Sequence, residues 1–426
     1  MRNSWVVLIE LHTSPGGART LPTAGLPLQS AGELFLRAAR ARGHRTAVVT
    51  VDHNYYGDHY DHLVDAWLIT DSRDPAAVGH TLVALDSQIA AVHSSVDSFV
   101  RVAAQVARNR GLRGPDPDGV GIARDKGRAR QALADAGLED IRWAVLPAHE
   151  PDLSSPIGYP CIVKPTDGAY SWDVALVDND DDVRSLARQH LARRYARRVR
   201  PEHRLLFEEY LEGPLISAEG FVDHDELTVF GFSDRVMSPP PRFVELSLRF
   251  SAEPPHPQAL AFVRSTLDAL GYDFGPFHLE FILTPEGPRL VELNARLVGA
   301  GMEQAIGYVS STPPADFVVA KLTGHSPQMT VSGAVTELYL TAPQAGPLHT
   351  VEGLDTATGH PACRSAGLYY AHGEEVTDVI DSNSSPVGYV HAVGADREES
   401  YQNALEAAKN IVMGVGPAQA ARHGAA

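Results

Sequence analysis

Cysteine is nearly absent from this 426-residue sequence, which contains only Cys161 and Cys363. Two cysteines cannot form the disulfide framework of a small secreted protein, so a reducing cytoplasm is the compartment we expect. Long apolar runs are missing as well. The run at Trp5–Ile9 is short and is followed by Glu10, so it predicts a first strand instead of a signal peptide. No run approaches the length of a membrane span, and we expect no membrane partner.

Basic residues are outnumbered by acidic ones. The chain has 36 Lys and Arg against 53 Asp and Glu, which gives a formal net charge of -17. A general nucleic-acid binder needs a basic surface, so this composition excludes that class and favours a small molecule as the charged partner. The length and the hydrophobic content of 44% predict a globular protein of several domains.

The N-terminal region alternates strand-like and helix-like segments. Apolar strands at 5–9 and 46–51 flank a helix-like stretch at 30–42. This order is typical of an open α/β sheet whose ligand site lies at the strand ends. A Gly/Pro-rich segment at 111–117 then marks a boundary.

Two polar stretches of this region have only part of a ligand-binding pattern. The Ser-Pro-Gly-Gly loop at 14–17 lacks the Lys-Ser/Thr ending of a phosphate-binding loop. The run at 52–62 contains three His and three Asp but no cysteine and no helical or hairpin frame that would set zinc geometry. We therefore expect a substrate-facing loop at 14–17 and a polar loop at 52–62.

The strongest chemical signal lies at 275–301, GPFHLEFILTPEGPRLVELNARLVGAG. Two strand-like runs flank a turn that contains Pro and Gly, which predicts a β-hairpin. With the turn centred near Glu286, Glu280 faces Glu292 across the hairpin. Two opposed carboxylates repel each other unless a cation lies between them, so the hairpin predicts a metal site.

Strand alternation adds further residues to this face of the hairpin. His278 shares a face with Glu280, while Leu290 and Asn294 are expected to share a face with Glu292. Magnesium takes hard oxygen ligands and often completes its shell with nucleotide phosphates. Glu280, Glu292 and Asn294 are therefore the predicted metal ligands. The alternative is a solvated hairpin whose acidic residues face water.

Glu280 and the sequence Val-Glu-Leu-Asn-Ala-Arg at 291–296 resemble the metal-binding signature of the ATP-grasp superfamily. The resemblance is to its carboxylate–amine ligase branch, which includes the L-amino acid ligases and is related to biotin carboxylase. It implies an ATP-grasp fold of α/β and α+β character, with an N-terminal open α/β domain and a small β-rich C-terminal domain. The predicted domains are 1–115, 116–325 and 326–426. Arg296 is a candidate catalytic residue, because its planar guanidinium presents hydrogen-bond donors in an arrangement that suits an acyl phosphate.

The same resemblance implies phosphate contacts upstream of the hairpin. Lys126, on a helix-like stretch at 123–138, and Lys164 correspond to phosphate-binding lysines. Lys164 ends an apolar strand, where a charge is costly unless it meets an anion, and it is the second catalytic candidate. Gly168 and Ser171 lie in the loop that closes over the phosphates, and backbone N–H groups in such loops bind phosphate oxygens.

The segment at 205–211 resembles the part of the fold that holds adenine. The contacts that this resemblance implies come from Glu208, Tyr210 and Leu211. Some members of the branch have a ribose-binding Glu where this chain has Leu215. Glu212 and Glu219 remain as two alternatives for that contact.

These residues together imply a ligase reaction. A carboxylate attacks the γ-phosphate of ATP to give an acyl phosphate and ADP, and an amine then displaces phosphate to leave an amide. The implied cofactors are ATP and Mg²⁺, with Mn²⁺ as an alternative, and the implied substrates are amino acids or small peptides. Intramolecular ring closure and a regulatory protein that binds ATP without chemistry are the alternatives. Neither His278 nor Glu219 is assigned as the base for the amine, and a homodimer is one assembly to test.

Overall fold

The computed structural model of the protein describes residues 4–10, 23–25, 29–53, 61–85, 88–168, 171–196, 203–383 and 385–416. The loop at 14–17 and most of the run at 52–62 lie outside these residues. Within the described part of the chain, none of the helices combines the length and the apolar character that a bilayer crossing requires.

The N-terminal part is a parallel four-stranded sheet with flanking helices. Its elements are β1 (Trp5–Ile9), β2 (Thr23–Gly25), α1 (Ala31–Ala41), β3 (Arg45–Thr50), β4 (Ala66–Ile69), α2 (Pro75–Thr81), β5 (Ile89–His93) and α3 (Val100–Asn109). The sheet has the order β4-β3-β1-β5, and β2 belongs to another sheet. Helix α1 begins where the Ser30 hydroxyl accepts a hydrogen bond from the Glu33 N–H. The predicted open α/β arrangement is confirmed.

The central part contains a small four-stranded sheet and most of a large one. Its elements are α4 (Pro117–Arg124), α5 (Lys126–Asp135), β6 (Trp143–Pro147), β7 (Cys161–Pro165), β8 (Ala175–Val177), α6 (Asp180–Ala196), β9 (Arg204–Glu209), β10 (Leu215–Asp223), β11 (Glu226–Met237), β12 (Glu245–Ser251), α7 (Ala259–Ala269), β13 (Phe274–Thr284), β14 (Gly287–Asn294), α8 (Met302–Gly307) and α9 (Pro314–Leu322). The small sheet has the order β6-β9-β7-β8.

The predicted single helix at 123–138 is wrong. The chain leaves the helical conformation at Asp125, where φ is -105° and ψ is 104°. The Asp125 carboxylate accepts hydrogen bonds from the N–H groups of Gly127 and Arg128 and so begins α5 as a new helix. The break sets Lys126 at the first position of α5.

The C-terminal part extends the large sheet. Its elements are β15 (Ala334–Leu340), β16 (Gly346–Glu352), α10 (Leu354–Thr358), β17 (Cys363–Leu368), β18 (Glu375–Val376), β19 (Gly388–Gly394), α11 (Arg397–Ala408) and β20 (Val412–Val415). The large sheet has nine strands in the order β14-β13-β10-β11-β12-β15-β19-β17-β2, and β18-β16-β20 form a small separate sheet. The large sheet is therefore shared by the proposed central and C-terminal domains.

A single apolar cluster joins the N-terminal sheet to the large sheet. It contains Leu8 of β1 and Leu36 of α1 together with Phe250 of β12, Met302 of α8 and Phe317 of α9. All five are buried. Because burial of apolar surface is the main favourable term in folding, this cluster fixes the strand ends of the N-terminal sheet beside α8.

Gly119 marks a close approach between α4 and the turn that follows α7. A Cβ added there would lie 2.1 Å from the Gly271 carbonyl oxygen, so the backbone would have to shift. We expect Gly119→Ala to lower the free energy of unfolding by about 1–3 kcal/mol. Gly79→Ala in α2, where no atom lies within 4 Å of the added Cβ, is the control and should stabilise by up to about 1 kcal/mol. Urea unfolding followed by circular dichroism checks both values, and equal stability of the two variants would contradict the close approach.

Candidate active site

The predicted hairpin is formed by β13 and β14. These strands pair antiparallel, with Glu280 opposite Glu292 and His278 opposite Asn294, and the turn is at 285–286. The predicted opposition of the two carboxylates is confirmed.

The hairpin contains a β-bulge that the sequence did not predict. Glu280 pairs with Glu292, but the next residue, Phe281, pairs with Leu290, so Val291 is an extra residue in β14. Leu290 is buried in the apolar cluster of Phe281 and Leu293. The prediction that Leu290 shares a face with Glu292 is therefore wrong, because the bulge reverses the alternation at Val291.

Glu280 is held by two neighbouring cations. Its Oε1 atom lies 2.9 Å from Nη2 of Arg235 and 2.9 Å from Nε2 of His278. Arg235, on β11, is fully buried and also forms an ion pair with Glu245 of β12. Burial favours a raised pKa for Glu280, but Arg235 and His278 outweigh it and hold the pKa below its ordinary value. Glu280 is thus ionised at neutral pH.

His278 bridges Glu280 and Glu219. Its Nδ1 atom lies 2.9 Å from each carboxylate oxygen of Glu219, which also accepts a hydrogen bond of 2.7 Å from the Ser217 hydroxyl. Burial disfavours the charged ring, but Glu219 and Glu280 dominate and raise the pKa of His278 to about 10. The ring is therefore an imidazolium donor at neutral pH. Glu219 is almost fully buried, whereas Glu212 is exposed, and the ribose contact of either residue stays a prediction.

Glu292 is paired with the first residue of α5. Nζ of Lys126 lies 2.6 Å from Oε2 of Glu292, and Nδ2 of Asn294 donates to Oε1 over 2.9 Å. Burial would raise the pKa of Glu292, but Lys126 and Asn294 keep it far below its ordinary value. The Lys126 ammonium also donates to the Gly168 carbonyl over 3.0 Å, which brings the start of the predicted phosphate loop to the hairpin.

Lys164 lies beside the bulge at the end of β7. Its Nζ atom is 2.5 Å from Oε1 of Glu208 and 3.5 Å from the carbonyl oxygen of Val291. Burial lowers the pKa of Lys164, and Glu208 only partly offsets this. Glu208 is also bonded to Arg130, so its carboxylate contacts two cations. Its predicted contact with the adenine amine stays a prediction.

Two of the described residues in the loop between β7 and β8 are strained. Ser171 and Asp173 have φ values of 52° and 59°, a conformation that residues other than Gly rarely adopt. Oδ2 of Asp173 lies 3.0 Å from Nδ1 of His190 in α6, and both side chains are buried. This pair anchors the loop to α6 just after the predicted contacts Gly168 and Ser171.

The predicted adenine residues Tyr210 and Leu211 directly follow β9 and are partly buried. The ring of Tyr210 lies 6.2 Å from that of Phe243, between β11 and β12. The backbone groups of Tyr210 and Leu211 thus lie in the segment that connects the small sheet to the large one. The adenine contacts of Tyr210 and Leu211 stay a prediction.

Arg296 connects the hairpin to the N-terminal sheet. Its Nη2 atom lies 2.7 Å from Oδ2 of Asp97, which follows β5, and Nη1 of Arg124 lies 3.5 Å from the other oxygen of Asp97. Burial would raise the pKa of Asp97, but Arg296 and Arg124 lower it overall. The sequence did not predict Asp97. Asp234-Arg235 also resembles the pattern of the branch, but the sequence assigned Arg235 no role in the site.

The donor set at the hairpin fits magnesium. Within the described ranges, no group of three His, Cys, Asp or Glu side chains is arranged to hold a metal, so the structure offers no zinc-like site there. Two opposed carboxylates and one amide oxygen, supplied by Glu280, Glu292 and Asn294, are hard ligands of the kind that hold Mg²⁺ together with nucleotide phosphates. Their role as ligands stays a prediction.

Comparisons with known proteins identify two parts of the chain. Residues 157–304 match the model of the ATP-grasp domain, and residues 338–416 match that of L-amino acid ligase C-terminal domain 2. The uncharacterized protein y4rH of Sinorhizobium fredii is 29% identical over 339 residues, which cover 77% of this chain and 69% of that protein.

Solved structures are similar over nearly the whole length. The L-amino acid ligase from Bacillus licheniformis has a TM-score of 0.77 at 16% identity, covering 98% of this chain and 100% of that one. The biotin carboxylase domain of the Hydrogenobacter thermophilus 2-oxoglutarate carboxylase, solved with MgADP, ADP and bicarbonate, has a TM-score of 0.64 at 16% identity, covering 96% and 90%. These likenesses establish the fold.

Proposed function

This chain carries an ATP-grasp domain and an L-amino acid ligase C-terminal domain in a mixed α/β ATP-grasp fold, and we propose that it joins a carboxylate to an amine at the expense of ATP. The proposed products are an amide, ADP and phosphate. The observation that carries the proposal is the opposed pair of ionised carboxylates, Glu280 and Glu292, with two buried or nearly buried lysines beside it.

Glu280, Glu292 and Asn294 would hold Mg²⁺ in this enzyme. When bound, the metal would supply positive charge to the phosphate oxygens. His278 and Arg235 keep Glu280 ionised and fix its orientation through hydrogen bonds to one oxygen, which leaves the other oxygen for the metal. Such partners of a metal ligand set both its basicity and its geometry.

Lys126 and Lys164 would bind the phosphates of ATP. Each ammonium now contacts a carboxylate, Glu292 or Glu208, and each lies at the hairpin. The backbone of Gly168 and Ser171 would close over the same phosphates. Fixed positive groups and backbone donors of this kind accelerate phosphoryl transfer mainly by positioning and charge neutralisation.

The proposed reaction has two steps. An oxygen of the carboxylate substrate attacks the γ-phosphorus, the bond to the β-phosphate oxygen breaks, and ADP leaves. The amine nitrogen then attacks the acyl carbon, phosphate leaves with the electron pair of the broken C–O bond, and the nitrogen loses a proton. Arg296, held in place by Asp97, would stabilise the negative charge of the acyl phosphate.

Incubation of the purified protein with MgATP and pooled L-amino acids tests this proposal. We expect ADP, phosphate and a new compound whose mass equals the two substrates less one water, detected by chromatography and mass spectrometry. AMP with pyrophosphate would contradict the acyl phosphate mechanism. A product that has lost water within one molecule would indicate ring closure, and tight ATP binding without turnover would favour a regulatory role.

A further inference from the structure

The ion pair between Arg235 and Glu245 depends on a second β-bulge in the large sheet. Met237 of β11 pairs with Glu245, whereas the preceding residue of β11 pairs with Ser247. Leu246 is therefore an extra residue in β12. Without it, strand alternation would direct Glu245 away from the face of the sheet that carries Arg235. The bulge thus brings the Glu245 carboxylate to the Arg235 guanidinium.

The Arg235 guanidinium lies between two carboxylates. Its Nε atom donates to Glu245, and its Nη2 atom lies 2.9 Å from Oε1 of Glu280. The side chain is fully buried, and its Nη1 atom has no hydrogen-bond partner among the residues that the structure describes. Within that part of the chain, hydrogen bonds to Glu245 and Glu280 therefore set the direction of the guanidinium.

The charge of Glu245 also bears on how strongly Glu280 can bind a cation. The single positive charge of Arg235 is shared between two carboxylates that both contact it. If residue 245 were neutral, Glu280 alone would face the whole positive charge. A carboxylate that is neutralised in this way attracts a divalent cation less strongly. Glu245 thus keeps Glu280 available to Mg²⁺.

The backbone of Glu245 is bonded to the C-terminal part of the chain. Its N–H donates to Oδ1 of Asn383 over 3.0 Å, across 138 residues of sequence. Asn383 lies in a turn between β18 and β19. The Ser385 hydroxyl closes this turn by accepting hydrogen bonds from the N–H groups of Asp381 and Ser382, over 3.1 and 3.2 Å. The turn therefore holds Asn383 at the first residue of β12.

The two opposed carboxylates of the hairpin are thus supported from different sides. Glu292 pairs with Lys126, the first residue of α5. Glu280 pairs with Arg235, and the second partner of Arg235 is the residue bonded to Asn383. The contacts of Glu292 lead to the central part of the chain, and those of Glu280 lead to the C-terminal part.

We propose that Asn383 and Glu245 are positioning residues for the metal site. Asn383 fixes the start of β12. Glu245 in turn holds Arg235, which orients Glu280. The inference rests on the proposed ligase function, because it takes Glu280 as a ligand of Mg²⁺, and it gives the C-terminal part of the chain a role in metal binding.

Calorimetry of ADP binding, with Mg²⁺ or with EDTA in place of the metal, tests this role without turnover. The ratio of the two Kd values is the gain in ADP affinity that the metal brings. We expect Glu245→Gln to lower this gain roughly 10-fold, while Kd for ADP in EDTA stays unchanged. Asn383→Ala should act in the same direction by a smaller factor. Asn383→Asp retains an oxygen that can accept the Glu245 N–H and should keep the natural gain.

Glu375→Gln and Asn410→Ala change the same residue types at exposed positions of the C-terminal part and are the controls. Circular dichroism establishes that each variant is folded. An undiminished gain in Glu245→Gln or Asn383→Ala, or an equal loss of ADP affinity with and without the metal, would overturn the inference alone. Glu280→Gln, the change at the ligand itself, should abolish the gain. A natural protein whose ADP affinity does not depend on Mg²⁺ would overturn the metal site of the proposed function, and the inference with it.

Discussion

Glu292→Gln should form ADP roughly 1,000-fold more slowly than the natural protein. The substitution keeps the size of the side chain but removes the charge that faces Glu280 and pairs with Lys126. It would weaken the metal site and leave the Lys126 ammonium without its carboxylate. The measurement is the initial rate of ADP release at saturating MgATP with the best substrate pair.

The fold of this variant should be preserved, because a glutamine can keep the hydrogen bond between the side chains of residue 292 and Asn294. Glu286→Gln serves as the matched control, since it removes a carboxylate from the same hairpin at its exposed turn. A Glu292→Gln protein that retains near-natural rates would rule out the assignment of Glu292 as a metal ligand.

Arg130→Met should lower the free energy of unfolding by about 3–5 kcal/mol. The Arg130 side chain is 3% exposed and bonds to Glu139, to Glu208 and to the carbonyl oxygen of Leu290. Methionine has a similar volume but no charge, so the Glu139 and Glu208 carboxylates would stay buried without the positive charge of Arg130. Because Glu208 also binds Lys164, we expect the substitution to disturb the predicted phosphate-binding side of the site as well. Denaturant unfolding measures the effect.

The double variant Arg130→Met/Glu139→Gln should recover part of the lost free energy of unfolding. In this variant only one buried carboxylate, that of Glu208, is left without Arg130. Arg289→Met is the control: Arg289 lies 4.0 Å from a nearly fully exposed Asp140, and such a pair contributes about 1 kcal/mol or less. If Arg130→Met is no less stable than Arg289→Met, the buried network does not hold these elements together.

The parts of the site that the sequence predicted depend on local patterns. The pairing of Glu280 with Glu292 followed from a two-residue period and a Pro/Gly turn, both contained in fewer than twenty residues. The N-terminal strands were predicted from equally short stretches of sequence. The bulge at Val291 was missed because an extra residue in one strand leaves no mark on apolar alternation until its partner strand is known.

The pairings between distant parts of the chain were not predictable. Arg296 meets Asp97 across 199 residues, and Arg130 meets the Leu290 carbonyl across 160. No periodicity relates such positions, because only the packing of whole sheets and helices brings them together. Asp125 lies within a run of good helix formers, and only its hydrogen bonds to the backbone of α5 show that it ends one helix and begins the next.

The position of β15 between β12 and β19 governs how this protein can be divided. A chain that stopped after Gly324 would retain β12 but lose its neighbour, and the N–H and C=O groups that now bond to 334–338 would form an open edge. Such an edge invites strand addition from another molecule and hence aggregation. The boundary proposed near residue 325 therefore separates two regions of sequence that share one sheet, and we expect residues 116–325 expressed alone to aggregate without the C-terminal strands.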